Sequence, residues 1–194
     1  MPVAKLPDPI KSFKDQKAWA AWLARNHATA TGVWLRLVKG AADTTSLTYA
    51  QAVEAALCQG WIDGQKKAED EQHWLQRFTP RTARSIWSKI NREKALALIE
   101  SGAMQPAGLE QVERARLDGR WERAYDSARG SAIPADLQAA LDASPKAKRF
   151  FAGLDAANRY AILWRLQTAK KPQTRAARLE KFIAMLARGD KLHP

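Results

Sequence analysis

Between residues 12 and 58 the apolar positions fall twice into helical spacing, with one β-like run between them. Ser12 followed by Asp15 has the form of a capping box. Trp19, Trp22 and Leu23 then stand at i, i+3 and i+4, which predicts a helix with one buried face, ending over Asn26 to Gly32. The run Val33 to Val38 is short, β-branched and aromatic, and predicts a strand. Gly40 to Ser46 predicts a polar loop. Thr48 with Gln51 forms a second capping box, with Leu47 outside it as a staple. Tyr49, Val53, Ala56 and Leu57 share the face of the helix that follows, and Gly60 stops it. Trp61 to Lys67 and Gln72 to Thr79 predict two strands around the acidic turn Glu69-Asp70-Glu71.

From Ser88 onward the period is helical throughout. Ser88 to Glu100 ends at Gly102, and Pro106 to Asp118 ends at Gly119. Residues 120–133 form an irregular link holding Trp121 and Tyr125. Short helices follow, one after Pro134 with Leu137 and Leu141, one capped at Ser144-Pro145 with Phe150, Phe151 and Leu154. A third is capped by Asp155 and carries Tyr160, Leu163 and Trp164. Pro172 breaks the chain, and a last helix with Leu179, Phe182, Ile183 and Leu186 stops at Gly189. The pattern predicts an α+β fold: a small, mostly antiparallel sheet of about three strands packed by helices, then an all-helical segment. The boundary falls near residue 131, giving parts 1–131 and 132–194.

At 194 residues the chain can bury a core without disulfide or metal. Eight Trp are enough to supply both core and cleft walls. A single cysteine, Cys58, excludes an internal disulfide and fits a reducing compartment. No run reaches the roughly 20 apolar residues of a membrane span, and Met1 to Ser12 lacks the apolar stretch of a signal peptide. A cytoplasmic protein is expected. Of the net charge of +12, residues 132–194 carry +7, an excess that favours a polyanion, an anionic surface or an acidic protein partner.

The sequence holds no phosphate-binding glycine loop, no dinucleotide fingerprint and no nucleophile elbow. His27, His73 and His193 lack zinc-ligand spacing, so no metal and no cofactor is expected. Cys58, late in an amphipathic helix, reads as a buried inert thiol. The stretch richest in chemistry runs from Gly60 to Asn91. Gly60 and Gly64 bracket Trp61-Ile62-Asp63, which points to close backbone approach or a bulge. Asp63, unfavourable in a strand, calls for a partner, with Arg77 or Arg81 expected, either as a pair fixing the sheet or as a functional pair. Ser85 or Ser88 is expected to cap the next helix, close in sequence to Arg81 and Arg84, a combination that suits a carboxylate or phosphate. Trp61, Asp63, Arg77, Arg81, Ser85, Trp87, Ser88 and Asn91 are therefore the candidate ligand-binding residues. Lys170, Lys171, Arg175 and Arg178 form a second basic cluster, a candidate polyanion grip or a solvated loop.

The series Ala56-Leu57-Cys58-Gln59-Gly60-Trp61-Ile62-Asp63-Gly64, Arg77-Phe78-Thr79-Pro80-Arg81 and Ser85-Ile86-Trp87-Ser88-Lys89-Ile90-Asn91 resembles the bacterial YdeI/OmpD-associated family. So do Gly102 to Gly108, Ile133 to Leu137 and Ala169 to Arg175, so that the likeness spans nearly the whole chain. Gln59 stands where an aromatic residue is common, and Gln173 where Glu is common. The resemblance implies a role in protection against bacteriocins or antimicrobial peptides, in stress response, and a periplasmic setting. It carries no catalytic residue to this chain. Sequestering cationic peptides is not a mechanism open to a protein of charge +12, which repels them. The residues support a small anionic ligand held in the Trp- and Arg-rich stretch, alternatively a polyanion- or partner-binding module using the basic C-terminal helices.

Overall fold

The computed structural model describes residues 8–40, 46–128 and 130–194. The protein is α+β. Over these residues it forms two compact units, one of residues 8–87 with 91–123, the other of 88–90 with 124–194.

The first unit holds a four-stranded sheet, β1 (Ile10–Lys11), β2 (Val33–Val38), β3 (Trp61–Ala68) and β4 (His73–Pro80), in the order β1-β2-β4-β3. The three expected strands are present and pair antiparallel; β1 is the addition, two residues lying parallel to β2 with Ile10 opposite Trp34. Two residues leave no periodicity to read, so β1 was not legible as a strand. The bulge expected around Gly64 is present, as a register shift between Asp63 and Lys66.

Helix α1 (Gln16–Asn26) starts three residues later than the Ser12 box implies. Asp15, taken as the third residue of that box, is itself the cap and accepts from Ala18 N–H at 2.7 Å. Helix α2 (Tyr49–Cys58) has the capping box at Thr48 and Gln51 in both directions, and Leu47 beside it is buried. The loop expected over Gly40–Ser46 lies, for residues 41–45, outside the described residues, as do residues 1–7 of the N-terminal stretch. Trp19 is fully buried and donates its indole N–H to Ala52 O at 3.1 Å, which ties α1 to α2. Its ring stacks on Trp22 and meets Phe78 edge-on, and Trp22 meets Trp61 the same way, so one aromatic cluster joins both helices to β3 and β4.

Helices α3 (Lys89–Glu100) and α4 (Pro106–Leu117) follow. Gly102, at φ +73°, ends α3 in the left-handed conformation, and a Cβ there would meet nothing within 4 Å. Gly108 has the opposite character. A Cβ on it would come 2.5 Å from Cys58 O and 2.7 Å from Leu57 O. Two glycines of one motif thus do different work: one turns the chain, the other lets α4 lie against the end of α2.

The second unit holds α5 (Ala135–Asp142), α6 (Pro145–Ala152), α7 (Ala156–Gln167) and α8 (Pro172–Ala187). Leu137, Leu141, Ala147, Phe151, Ile162, Leu166, Phe182 and Leu186 form its core. Asp155 caps α7, accepting from Asn158 N–H at 2.8 Å. Ser144 occupies the cap position of α6 with Pro145 next, and its side chain makes no cap bond. Arg175 on α8 grips Asp136 on α5 through two bonds of 2.7 and 2.8 Å and donates to Leu166 O at the end of α7. That guanidinium holds the Asp136 carboxyl below the usual carboxylate range.

Two outcomes follow. Gly108→Ala should lower unfolding stability by roughly 2 kcal/mol or more, the range of forced overpacking, whereas Gly102→Asn should change it little; urea unfolding of both variants is the check. A depressed carboxyl contributes stability that is present above its unfolded value near 4 and is lost as pH falls through the lower folded value. Asp136→Asn should therefore flatten the acid limb of a stability-versus-pH curve below about pH 4.

Candidate functional site

The turn from α2 into β3 pivots on Gly60, at φ +70°, where a Cβ would come 2.7 Å from Ala107 O. Glycine here permits both the left-handed turn and the close passage of α4. Arg81 N–H donates to Gly60 O at 2.9 Å, and Trp61 donates its indole N–H to His27 O at 3.2 Å. These contacts gather four segments of the first unit around a cleft of about 220 Å³. Its walls include His27, Gln59, Trp61, Arg81 and Gln111.

Arg81 gives the cleft its positive charge. It is only 5% exposed, its guanidinium carbon sits 3.6 Å from the centroid of the Trp87 ring, and Nη1 donates to Ile86 O at 3.3 Å. Stacking a planar guanidinium on an indole is favourable and fixes its orientation. His27 Nδ1 lies 3.1 Å from Leu23 O. A carbonyl only accepts, so Nδ1 carries the proton and Nε2 is the acceptor in the neutral ring. Glu110 also reaches the cleft, and its carboxylate is paired with Arg114 one turn along α4.

Of the eight expected ligand-binding residues, Trp61 and Arg81 line this cleft. Trp87 stands behind Arg81, fully buried, and meets Trp121 edge-on at 4.9 Å. Asp63 pairs with neither arginine. It accepts from the Tyr49 hydroxyl at 2.7 Å, and Arg77 is instead held by Asp8, with Nε 2.7 Å from the carboxylate. Asp63 and Phe78 are opposite each other, so the neighbouring Arg77 projects from the other face of the sheet, toward the side where β1 begins. Ser85 is not a helix cap: its hydroxyl accepts from Thr82 N–H at 2.9 Å inside a turn. Ser88 directly precedes α3 in the second unit and forms a bridge with Tyr125, while Asn91 is half-buried in the first turn of α3.

The basic cluster divides. Lys170 and Lys171 are exposed, but Arg175 is engaged as described and Arg178 donates to Arg165 O. Both arginines act as clamps within the helical unit. Burial pushes the Cys58 thiol up, so it stays protonated near neutrality and is a poor nucleophile. Among the described residues no group of three or more His, Cys, Asp and Glu could hold a metal ion, and no helix is long and apolar enough to cross a membrane.

Two things were missed from the sequence. His27, Gln59 and Gln111 reach the cleft from segments far apart in the chain; the 107, 110, 111 face of α4 was visible in its spacing but nothing marked what it faces. Arg120 was assigned to an irregular link. It is 7% exposed, its Nε is held by Asp118 at 2.7 Å, and Nη1 donates to Thr82 O at 3.3 Å and Ser85 O at 2.8 Å. It fixes the turn that follows Arg81.

Two known families match stretches of the chain. Residues 11–111, more than half of the chain, match the family described as Domain of unknown function (DUF8412), and the chain belongs to it. Residues 131–189, which span α5 to α8, match the family described as Bacteriocin-protection, YdeI or OmpD-Associated. The resemblance to that family is thereby shown over residues 131–189, in the helical unit, while the motifs at 56–64, 77–81, 85–91 and 102–108 fall within the match to the domain of unknown function. No curated protein and no solved structure matches the chain.

Arg120→Ala should leave the Ser85 carbonyl without its donor, while Thr82 O keeps the Ser85 N–H, and lower stability by about 2 kcal/mol, with Asp118→Asn costing less; denaturant unfolding at constant salt measures both.

Proposed function

We propose that this YdeI/OmpD-associated protein works by binding a small anionic ligand in the cleft beside Gly60. The observation that carries the reading is Arg81, a buried guanidinium oriented by Trp87 in the wall of a narrow polar cleft. Guanidinium remains charged at any physiological pH and offers paired donors that suit carboxylate and phosphate oxygens. The surrounding side chains favour the same ligand. Gln59 and Gln111 bring amide donors. Glu110 is neutralised by Arg114 and so opposes an anion weakly. At about 220 Å³ the cleft falls below the roughly 300–1,000 Å³ of sites for drug-sized molecules. A simple carboxylate or a phosphate fits the reading, and a nucleotide does not. Trp61 supplies an apolar wall for a short carbon skeleton.

The test is calorimetric titration and thermal unfolding with phosphate, acetate and succinate at low and moderate salt. At a ligand concentration 100 times its dissociation constant, stability should rise by about 2.7 kcal/mol. Arg81→Lys, which keeps charge but loses the planar fork, should weaken binding at least tenfold while the circular dichroism spectrum is retained. Gln111→Ala should weaken it less. Unchanged affinity in a folded Arg81→Lys variant sinks the proposal.

A further inference from the structure

The helical unit carries a larger groove, of about 730 Å³, within the range of sites that enclose organic ligands. Its floor is apolar. Phe150, Leu154 and Leu186 line it, all packed on or within the core of that unit. Gly189, at φ +79°, turns the chain at the end of α8; a Cβ there would sit 3.7 Å from the Phe150 ring. The turn is followed by Lys191, which also lines the groove.

The rim is cationic. Lys146, Arg149, Arg188 and Lys191 line it, with Asp155 as the only carboxylate. That carboxylate is committed to the cap of α7, accepting from the backbone and the side-chain amide of Asn158, each at 2.8 Å. Arg188 is offset by Asp190 at 3.0 Å. Helix dipoles account for part of the rest: Arg149 stands in the last turn of α6, where a cation is favourable. They do not account for Lys146, which sits in the first turn of α6, where the dipole disfavours a positive charge. Along α6 the residues Lys146, Arg149, Phe150 and Gly153 recur at i, i+3, i+4 and i+7, so one face of the helix presents charge and apolar surface together.

We infer that this groove binds a single-chain anionic amphiphile. The acyl chain lies on Phe150, Leu154 and Leu186, and the carboxylate or phosphate head is held by Lys146, Arg149 and Lys191. An apolar floor alone would take a neutral chain as well; the rim, on which the cations Lys146, Arg149, Arg188 and Lys191 outnumber the carboxylate of Asp155, selects the head group. The site is independent of the Gly60 cleft and does not rest on it.

The test uses the full chain and four probes with the same twelve-carbon tail, each below its micelle concentration: dodecanoate, dodecyl phosphate, dodecyl maltoside and dodecyltrimethylammonium. Saturable one-to-one binding of at least one anionic probe is expected, at least tenfold tighter than the neutral and cationic probes. Preference for dodecanoate assigns the ligand to free fatty acids, preference for dodecyl phosphate to lysophospholipid heads. Lys146→Glu and Arg149→Glu, both on exposed side chains, should each weaken the anionic probes at least tenfold. Lys181→Glu, an equal charge change elsewhere on α8, should not. Equal affinity for all four head groups, or equal weakening by Lys181→Glu, overturns the inference.

Discussion

The first unit depends on two backbone approaches between the end of α2 and the start of α4. Gly108 sits against the carbonyls of Leu57 and Cys58, and Gly60 sits against that of Ala107. Neither position has room for a Cβ, and Gly60 also needs a left-handed backbone. Because the two contacts face each other across one junction, α4 cannot move outward without opening both. The same junction delivers Gln59 and Trp61 from one side and Gln111 from the other, so the cleft is a by-product of how closely two helices can be stacked.

Charge plays two parts in this chain. Several arginines are internal fasteners: Arg175 and Arg178 close helix ends, Arg120 holds a turn, and Arg77 is tied to Asp8. Guanidinium suits this work because one planar group can satisfy a carboxylate and a carbonyl together. Four lysines behave differently. Lys146, Lys170, Lys171 and Lys191 are exposed. A formal net charge of +12 therefore overstates what the chain offers to an anionic partner from its arginines.

Local signals were legible where the chain's own neighbours decide. The capping box at Thr48, the stop at Gly60, the bulge near Gly64 and the cap at Asp155 all rest on contacts within a few residues. The α+β class followed from the change of period near Ser88. What stayed hidden depends on distant partners. Nothing in the sequence distinguishes an Asp63 that meets Arg77 from one that meets Tyr49, since the choice turns on which face of β4 the arginine leaves. Ser12 and Asp15 form a plausible box, but the closer Asp15 to Ala18 bond sets where the helix begins. Of the eight proposed ligand contacts, the two that line the cleft are those beside Gly60 in space, which is a property of the α2–α4 junction and not of the motif.

The two-residue strand β1 has a consequence for anyone who would handle the first unit alone. It covers the outer edge of β2 at Trp34 and Leu35, and just ahead of it Asp8 anchors Arg77 and crowds Gly32. The DUF8412 match begins at residue 11, the second residue of that strand. A fragment trimmed to the family limits would leave the Trp34 amide without the Pro9 carbonyl that accepts from it at 2.9 Å and lengthen the open edge of β2, a template for a neighbouring molecule. Solubility of such a fragment, more than its folding, is where those few residues would be missed.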